Sequence, residues 1–493
     1  MPMNGRSAKI IGDGGGIFTA GHDIQTPFHV SVQTPDQCVE LTCHGILRNL
    51  PGKRLVCAGT YGDQPVVIKF FLDSRRAKKH SIREERGILA LKASNILSPN
   101  LLFKGILPFT RTRVLVFQRI HSAVDFADAW DQAATDIRRA GLLGKIISAM
   151  ANLHQSGLAH NDVHWGNFMV SGTEIYAIDG AAMDLRHRGR PLSEARSIKN
   201  LSAFFAQMDP QFDHLLPDAV KIYLKNWSWP ESSGLSHRLN RQLRMERRKR
   251  EKKYLKKIYR ESSAYVCQKT WKRFRVCDRS RHTENMQHFL DNPDAFIPAD
   301  RLLKDGNSST VARVEVDHRS LVVKRYNMKS FWHALRRCPR PSRAWHSWGS
   351  AHRLNLHGIS TPRPVAFIEN RWGPFRSKAY FITEYAPGVD AYHWFHSGKG
   401  DAATERKILE KFGRLMQRFQ DGLITHGDLK ATNFIFSDGE LMVIDLDAMR
   451  SHRWAGPIFR RKFRKDCRRL MQNWKDLPEI YKMFRDQIDI IRD

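Results

Sequence analysis

The stretch His160-Asn161-Asp162-Val163-His164-Trp165-Gly166-Asn167-Phe168-Met169-Val170 leads into Ile175-Tyr176-Ala177-Ile178-Asp179-Gly180. The chain says the same thing again as His426-Gly427-Asp428-Leu429-Lys430-Ala431-Thr432-Asn433-Phe434-Ile435-Phe436, followed by Leu441-Met442-Val443-Ile444-Asp445-Leu446-Asp447. Each copy reads His-x-Asp, four residues, Asn, an apolar strand, a turn, and a second apolar strand closing on Asp. A lone His-x-Asp is common in unrelated folds. Two copies with matching Asn and Asp are one design used twice.

Working outward, the residues before each copy have helical period, Ile137 to His154 and Ile408 to Phe419. Further upstream each half has a lysine set among branched and aromatic residues, Val66-Val67-Ile68-Lys69-Phe70-Phe71 and Leu321-Val322-Val323-Lys324-Arg325-Tyr326, which reads as a strand. A helix is expected after each, over Ser81 to Ser94 and Ser342 to His357, then strands at Arg113 to Phe117 and Ala379 to Glu384. The expected fold class is α+β: two tandem bilobal domains, each a strand-rich lobe followed by a helical lobe. The boundaries expected are a flexible leader over 1–37, a first domain over 38–230 with lobes meeting near 120, a basic helical linker over 231–295, and a second domain over 296–493 with lobes meeting near 388.

This inventory suits phosphoryl transfer, which needs cations on the phosphates, a carboxylate near the incoming hydroxyl, and metal ligands in fixed geometry. Asp162 and Asp428 are the candidate catalytic carboxylates. Asn167, Asp179, Asn433 and Asp445 are candidate Mg²⁺ ligands, and Lys69 and Lys324 the phosphate-holding cations of an ATP site. Glu84 or Glu85 is expected to hold Lys69. No acid occurs from Arg325 through Ile368, so Lys324 is expected to lack such a partner, and the first half is the expected seat of activity. That acid-free stretch carries Arg325, Lys329, Arg336, Arg337, Arg340, Arg343 and Arg353, a candidate anion-binding surface.

These residues resemble the protein-kinase-like superfamily, whose catalytic and metal-binding loops carry this pattern. More narrowly, Asp305-Gly306-Asn307-Ser308-Ser309-Thr310-Val311-Ala312-Arg313-Val314, the strand around Lys324, and His357-Gly358-Ile359-Ser360-Thr361-Pro362-Arg363-Pro364 are similar to the bacterial lipopolysaccharide core kinases. The resemblance implies ATP-dependent phosphorylation of a heptose or Kdo hydroxyl at the cytosolic face of the inner membrane, with Gly306 and Ser308 in the nucleotide-covering turn. In the first half the corresponding turn is Pro51 to Thr60, which departs from the kinase glycine pattern. Gly12 to Gly16 are read as part of the leader.

The 493 residues carry 81 Lys+Arg against 50 Asp+Glu, a formal charge of +31. From Arg238 to Arg281 there are 18 bases and four acids, and the core of that range, Arg244 to Lys253, has almost no apolar stripe. The partners expected are a phosphorylated glycolipid, the lipopolysaccharide core above all, and an anionic membrane surface held peripherally and sensitive to salt. No nucleic-acid module is present in the pattern of residues, so no specific nucleic acid is expected. Trp345, Trp348, Trp394 and Trp454 are divided between core positions and such an interface. Seven cysteines without a CxxC pair argue against a zinc site or disulfide framework, and no run approaches the ~20 apolar residues of a membrane span. A cytoplasmic protein is therefore expected.

The 51 residues between Asp179 and the linker, and the 48 after Asp445, leave little room for the activation loop and substrate helices of a protein kinase, and neither half has the Ala-Pro-Glu anchor. The alternatives are a non-catalytic scaffold that keeps nucleotide or partner binding, and a kinase for another small molecule or protein. His-Gly-Asp also resembles aminoglycoside kinases, but a polycationic substrate suits a basic surface poorly.

Overall fold

The computed structural model describes residues 24–72, 76–227, 234–297, 299–306, 308–327, 341–373, 375–398, 400–437 and 439–492. The chain divides into two compact units, Met1–Met208 with Phe212–Arg247, and Arg248–Asp493 with Asp209–Gln211. Each joins a sheet to a helical part, and the fold is α+β.

In the first unit, β1 (Phe28–Gln33), β2 (Cys38–Leu50), β3 (Arg54–Tyr61), β4 (Gln64–Phe71), β5 (Leu101–Ile106) and β6 (Arg113–Gln118) close a barrel in the order β1-β2-β3-β4-β6-β5. The two-residue period of β4 puts Val66, Ile68 and Phe70 in the barrel interior and leaves Val67, Lys69 and Phe71 on its other face. Helix α1 (Ala77–Ala93) packs there through Ile88, Ala90 and Leu91. The helical part contains α2 (Phe126–Gln132), α3 (Asp136–Gln155), α4 (Glu194–Phe205) and α5 (Leu216–Trp227), with the hairpin β7 (Phe168–Ser171) and β8 (Glu174–Ala177). Its centre is aromatic: Phe126, Trp130, Trp165 and Phe204 meet at centroid distances of 5.3 to 6.2 Å.

The basic helix α6 (Leu235–Lys257) begins with Leu235, Leu239 and Leu243 in the first core, while Tyr254 and Leu255, near its end, pack on the second. The second unit then adds β9 (Tyr265–Lys269), β10 (Arg273–Asp278), α7 (Glu284–Asp291), β11 (Leu302–Gly306), β12 (Ser309–Val316), β13 (Arg319–Tyr326), α8 (Arg343–Leu356), β14 (Pro364–Trp372) and β15 (Phe375–Glu384). The sheet order is β9-β10-β14-β15-β13-β12-β11. Strand β13 repeats the logic of β4: Leu321 and Val323 enter one core, while Tyr326, in step with Lys324, enters the other. Helices α9 (Ala391–His396), α10 (Ala402–Asp421), α11 (Pro457–Met471) and α12 (Pro478–Arg492) surround the hairpin β16 (Phe434–Ser437) and β17 (Glu440–Val443).

Two expected segments differ from the structure. The range 1–37 contains β1, which pairs with β2 from Phe28↔Cys43 to Gln33↔Cys38. Alternation of Phe28, Val30 and Val32 into the barrel makes it structural; Gly12 to Gly16 lie outside the described residues. The range 231–295 is helical only in part, because β9, β10 and α7 belong to the second unit and β10 pairs with β14. Arg275 on β10 is buried and bonded to Gln268 and Asp291, so a base here is part of the sheet rather than a solvated face.

Candidate active site

The two repeated loops fold alike. Asn167 Nδ2 donates to the Asp162 carbonyl at 2.9 Å, and Asn433 Nδ2 donates to the Asp428 carbonyl at 2.8 Å. The Asn167 and Asn433 carbonyls accept from Ile178 N and Ile444 N, each at 2.9 Å, which ties the loop to the residue before the closing aspartate. Asp179 and Asp445 both have left-handed backbones, with φ of 65° and 60°. That conformation costs a residue with a Cβ roughly 1–2 kcal/mol, and it recurs at the same place in both units. His160 and His426 are buried beneath the loops, and burial holds both imidazoles below their ordinary range. His426 Nε2 lies 3.0 Å from the Ile444 carbonyl.

In the first unit Lys69 pairs with Glu84 of α1, whose side chain is completely buried. Burial pushes the Glu84 carboxyl up, but the Lys69 charge and the Ala181 N–H, donating at 3.1 Å, turn the net direction downward. The close approach of α1 depends on glycine, since a Cβ on Gly87 would sit 1.9 Å from the Gly180 carbonyl oxygen. Glu85, the other candidate, points elsewhere and pairs with Lys104 at 2.7 Å. One residue further along a helix is about 100° around it, so the two neighbours cannot share a partner. Asp179 keeps Oδ1 buried without a hydrogen-bond partner among the described residues. Its carboxyl is pushed up by burial and by the Glu84 charge, against Lys69 and Arg54. Arg54, at the end of the β2–β3 turn, is a site residue that the sequence pattern does not announce.

The second unit corrects the expectation that Lys324 has no acidic partner. Lys324 Nζ lies 2.6 Å from Asp445 Oδ1 and 2.9 Å from Asp447 Oδ2. Counted from the left-handed aspartate, Asp447 stands where the first unit has Ala181. Tyr326 Oη and Ser347 Oγ, the latter from α8, donate to Asp447 Oδ1 at 2.7 and 2.9 Å. The helix supplies a hydroxyl and the loop supplies the carboxylate. For Asp445, burial raises the carboxyl, and Lys324 outweighs it to give a net lowering.

The loop carboxylates also differ. Asp162 is exposed and forms no ion pair among the described residues, and two positions on stands His164, whose Nδ1 accepts from Gly166 N. Asp428 is half-buried, 2.5 Å from Arg469 and 3.4 Å from Lys430. Arg469 lies on α11, which also carries Asp466. That carboxylate accepts from His426 N at 2.7 Å and Gly427 N at 3.0 Å, fixing the loop backbone. Burial raises the Asp466 carboxyl against those donors. Asp466 was open to detection, as the single acid in Arg460-Arg461-Lys462-Phe463-Arg464-Lys465-Asp466-Cys467-Arg468-Arg469, in phase with Phe459, Phe463 and Leu470.

Gly306 and Ser308 flank the β11–β12 turn. Asn327 N donates to the Ser308 carbonyl at 3.2 Å and Asn327 Nδ2 to the Gly306 carbonyl at 3.4 Å, which brings this turn to the end of the Lys324 strand. Asn307 lies outside the described residues, as do Lys329, Arg336, Arg337 and Arg340 of the proposed anion surface. Of its other members, Arg325 pairs with Asp294 and Arg353 with Glu251, so neither is free for an anion. Trp348 is fully buried, Trp345 stacks on Tyr259 at 4.5 Å and Trp394 packs on Phe436, while Trp454 is 67% exposed.

The donor set fits Mg²⁺ with nucleotide. Among the described residues no three His, Cys, Asp or Glu side chains cluster as a self-sufficient metal cage. An amide oxygen and a carboxylate per unit suit an ion that keeps water and takes phosphate oxygens, and the orphaned Asp179 Oδ1 is a ligand in want of a cation. No helix among the described residues is long and apolar enough to cross a membrane. No curated protein matches the chain. Residues 300–482, within the unit that the sequence pattern ranked second, match the model of the lipopolysaccharide kinase (Kdo/WaaP) family, and the chain resembles that family there.

Proposed function

We propose that the protein is an ATP-dependent kinase that phosphorylates a heptose or Kdo hydroxyl of the lipopolysaccharide inner core at the cytosolic face of the membrane. Its two units are, in this reading, tandem kinase-like domains. The observation that carries it is the convergence of Lys324, Asp445, Asn433 and Asp428 within the stretch that matches the family.

Bound Mg·ATP supplies the phosphoryl group and the charge neutralisation it needs. The protein's part is positioning and electrostatics. Lys324 holds phosphate oxygens and is itself steered by Asp447. Asn433 and Asp445 would hold the metal. Asp428 orients the acceptor hydroxyl and takes its proton. In the absence of acceptor Asp428 is paired with Arg469, which occupies its carboxylate. An acceptor bearing phosphate offers Arg469 another anion and leaves Asp428 to the hydroxyl. Lys430 adds a second cation beside the transfer site. In the first unit Lys69 and Asp179 are set for nucleotide, but among the described residues Asp162 has no cation paired with it in this way. That difference favours transfer in the second unit and nucleotide binding in the first.

The test is transfer of labelled γ-phosphate from Mg·ATP to purified lipid A–core, with wild type, Asp162→Asn, Asp428→Asn and the double variant. Loss of a general base costs on the order of 10²- to 10⁴-fold, and that loss is expected for Asp428→Asn. If the wild type binds Mg·ATP and labels no glycolipid, the scaffold reading or that of a kinase for another substrate replaces this one.

A further inference from the structure

We infer that the outward face of α11, with the turn before it, docks on an anionic phospholipid bilayer and thereby sets Asp428 at the lipid surface. Between Arg450 and Arg469 there are nine Lys and Arg against one acid, Asp466. The Asp466 carboxylate is buried and committed to backbone N–H groups, so it neutralises nothing outside. Among the described residues only Arg469 of these bases is in an ion pair, with Asp428. The helix buries Phe459, Phe463, Cys467 and Leu470, which leaves the remaining arc to solvent and to cations.

That arc is not purely charged. Trp454 and Ile458, at the start of the helix, are each 67% exposed. A tryptophan and an isoleucine among arginines match the interfacial zone of a bilayer, where an aromatic ring and an aliphatic chain enter below the headgroups and the bases meet lipid phosphates. A nucleic acid would satisfy the cations and leave both apolar groups in water. At 100° per residue, Ile458, Lys465 and Arg469 share one side of α11, and Ile458 and Arg469 are about 16 Å apart along it. The apolar contact, the cations and the partner of Asp428 therefore lie along one edge of a single helix. An acceptor anchored in the same bilayer would be presented to Asp428 without leaving the membrane.

This deepens the proposed function and rests on it only for the lipid-linked acceptor. The test is co-sedimentation of the full chain with vesicles of phosphatidylcholine alone and with 30% phosphatidylglycerol, at low salt, with Mg·ATP binding measured on the same samples. Each base near an anionic surface contributes about 1 kcal/mol, so Arg461→Gln/Arg464→Gln/Lys465→Gln is expected to weaken binding roughly a hundredfold. Trp454→Ala/Ile458→Ala, which leaves the charge intact, is expected to weaken it about tenfold through lost apolar contact. A control triple on α6, Lys252→Gln/Lys253→Gln/Lys256→Gln, should cost much less. Equal loss from the control overturns the inference, since net charge alone would then explain binding. So does an apolar double that binds like wild type, the pattern expected of a nucleic-acid or general polyanion surface. Absent vesicle binding with intact Mg·ATP binding defeats the docking surface and spares the kinase reading; the reverse result defeats the kinase reading alone.

Discussion

Lys69 is held by Glu84, a residue of the helix that follows its strand, whereas Lys324 is held from the loop after Asp445, by Asp445 itself and by Asp447. In the first unit the loop gives a backbone N–H, from Ala181, and the helix gives the carboxylate. In the second the helix gives a hydroxyl, from Ser347, and the loop gives the carboxylate. The charge balance around the lysine is kept while its source moves from one element to another. What changes is the state of the left-handed aspartate. Among the described residues Asp179 keeps an oxygen without a hydrogen-bond partner, while Asp445 has one taken by the lysine. The first unit is thus arranged in advance around its lysine and left-handed aspartate. The second has its cations gathered at the loop carboxylate, where Arg469 and Lys430 attend Asp428.

The contrast is broken most directly at Glu84. Its removal leaves the Lys69 ammonium, 15% exposed, without the carboxylate that pairs with it. Breaking one side of a buried ion pair costs about 3 kcal/mol or more, so Glu84→Gln is expected to lower the first unit's stability by that amount and to abolish its nucleotide binding. Denaturant melts and nucleotide titration check both. Asp447→Asn should be milder, about 1–2 kcal/mol, because Lys324 retains Asp445 and the Asn oxygen still accepts from Tyr326 and Ser347. Its signature would be weaker nucleotide binding, restored when the carboxylate is moved to the helix as Asp447→Ala/Ser347→Glu. If the transplant restores nothing, the two carboxylates are not equivalent and the comparison fails.

How far this was readable in advance differs from residue to residue. The repeated loops and both lysine strands were legible because period-2 burial and residue spacing are local properties. Glu84 was narrowed to a pair, and helix phase would have chosen it: Ser81, Glu84, Ile88 and Leu91 are buried on one face, three or four residues apart. The acid-free stretch after Lys324 hides the partner, because local sequence shows only residues near in the chain. Asp447 is over a hundred residues away and reaches Lys324 only through the tertiary fold. Strands β9 and β10 were hidden by composition, since a buried, paired Arg275 looks the same in sequence as a solvated arginine.

A subtler test uses protons. Burial and Glu84 raise the Asp179 carboxyl, whereas Lys324 brings Asp445 below its ordinary range despite burial. A metal needs the ionised form, so as pH falls Asp179 is protonated first. Mg·nucleotide binding by the first unit is expected to fade at a higher pH than binding by the second, read in the chain with both units present and the opposite site disabled by Lys324→Met or Lys69→Met. The stability terms have the opposite sense within the first unit. Glu84, depressed overall, contributes stability present above the ordinary glutamate range and lost as pH falls through its folded value. Asp179, raised, favours the fold at low pH, and that contribution is lost as pH rises through its folded value. Coincident pH curves for the two sites would show that the differing carboxylate neighbours do not govern metal binding.

The smallest expected effect lies one residue from the largest. Glu85 meets Lys104 at 2.7 Å, but the lysine side chain is 59% exposed, and water screens the pair. An exposed ion pair contributes at most about 0.5 to 1 kcal/mol, so Glu85→Gln should shift stability by no more than that and leave nucleotide binding unchanged. Measured beside Glu84→Gln, it holds charge, helix and chemical change constant and varies only the side of α1 on which the carboxylate lies. A Glu85→Gln protein that lost nucleotide binding would turn α1 by about 100°, place Glu85 at Lys69, and remove the close packing of Gly87 on Gly180 that fixes the helix phase.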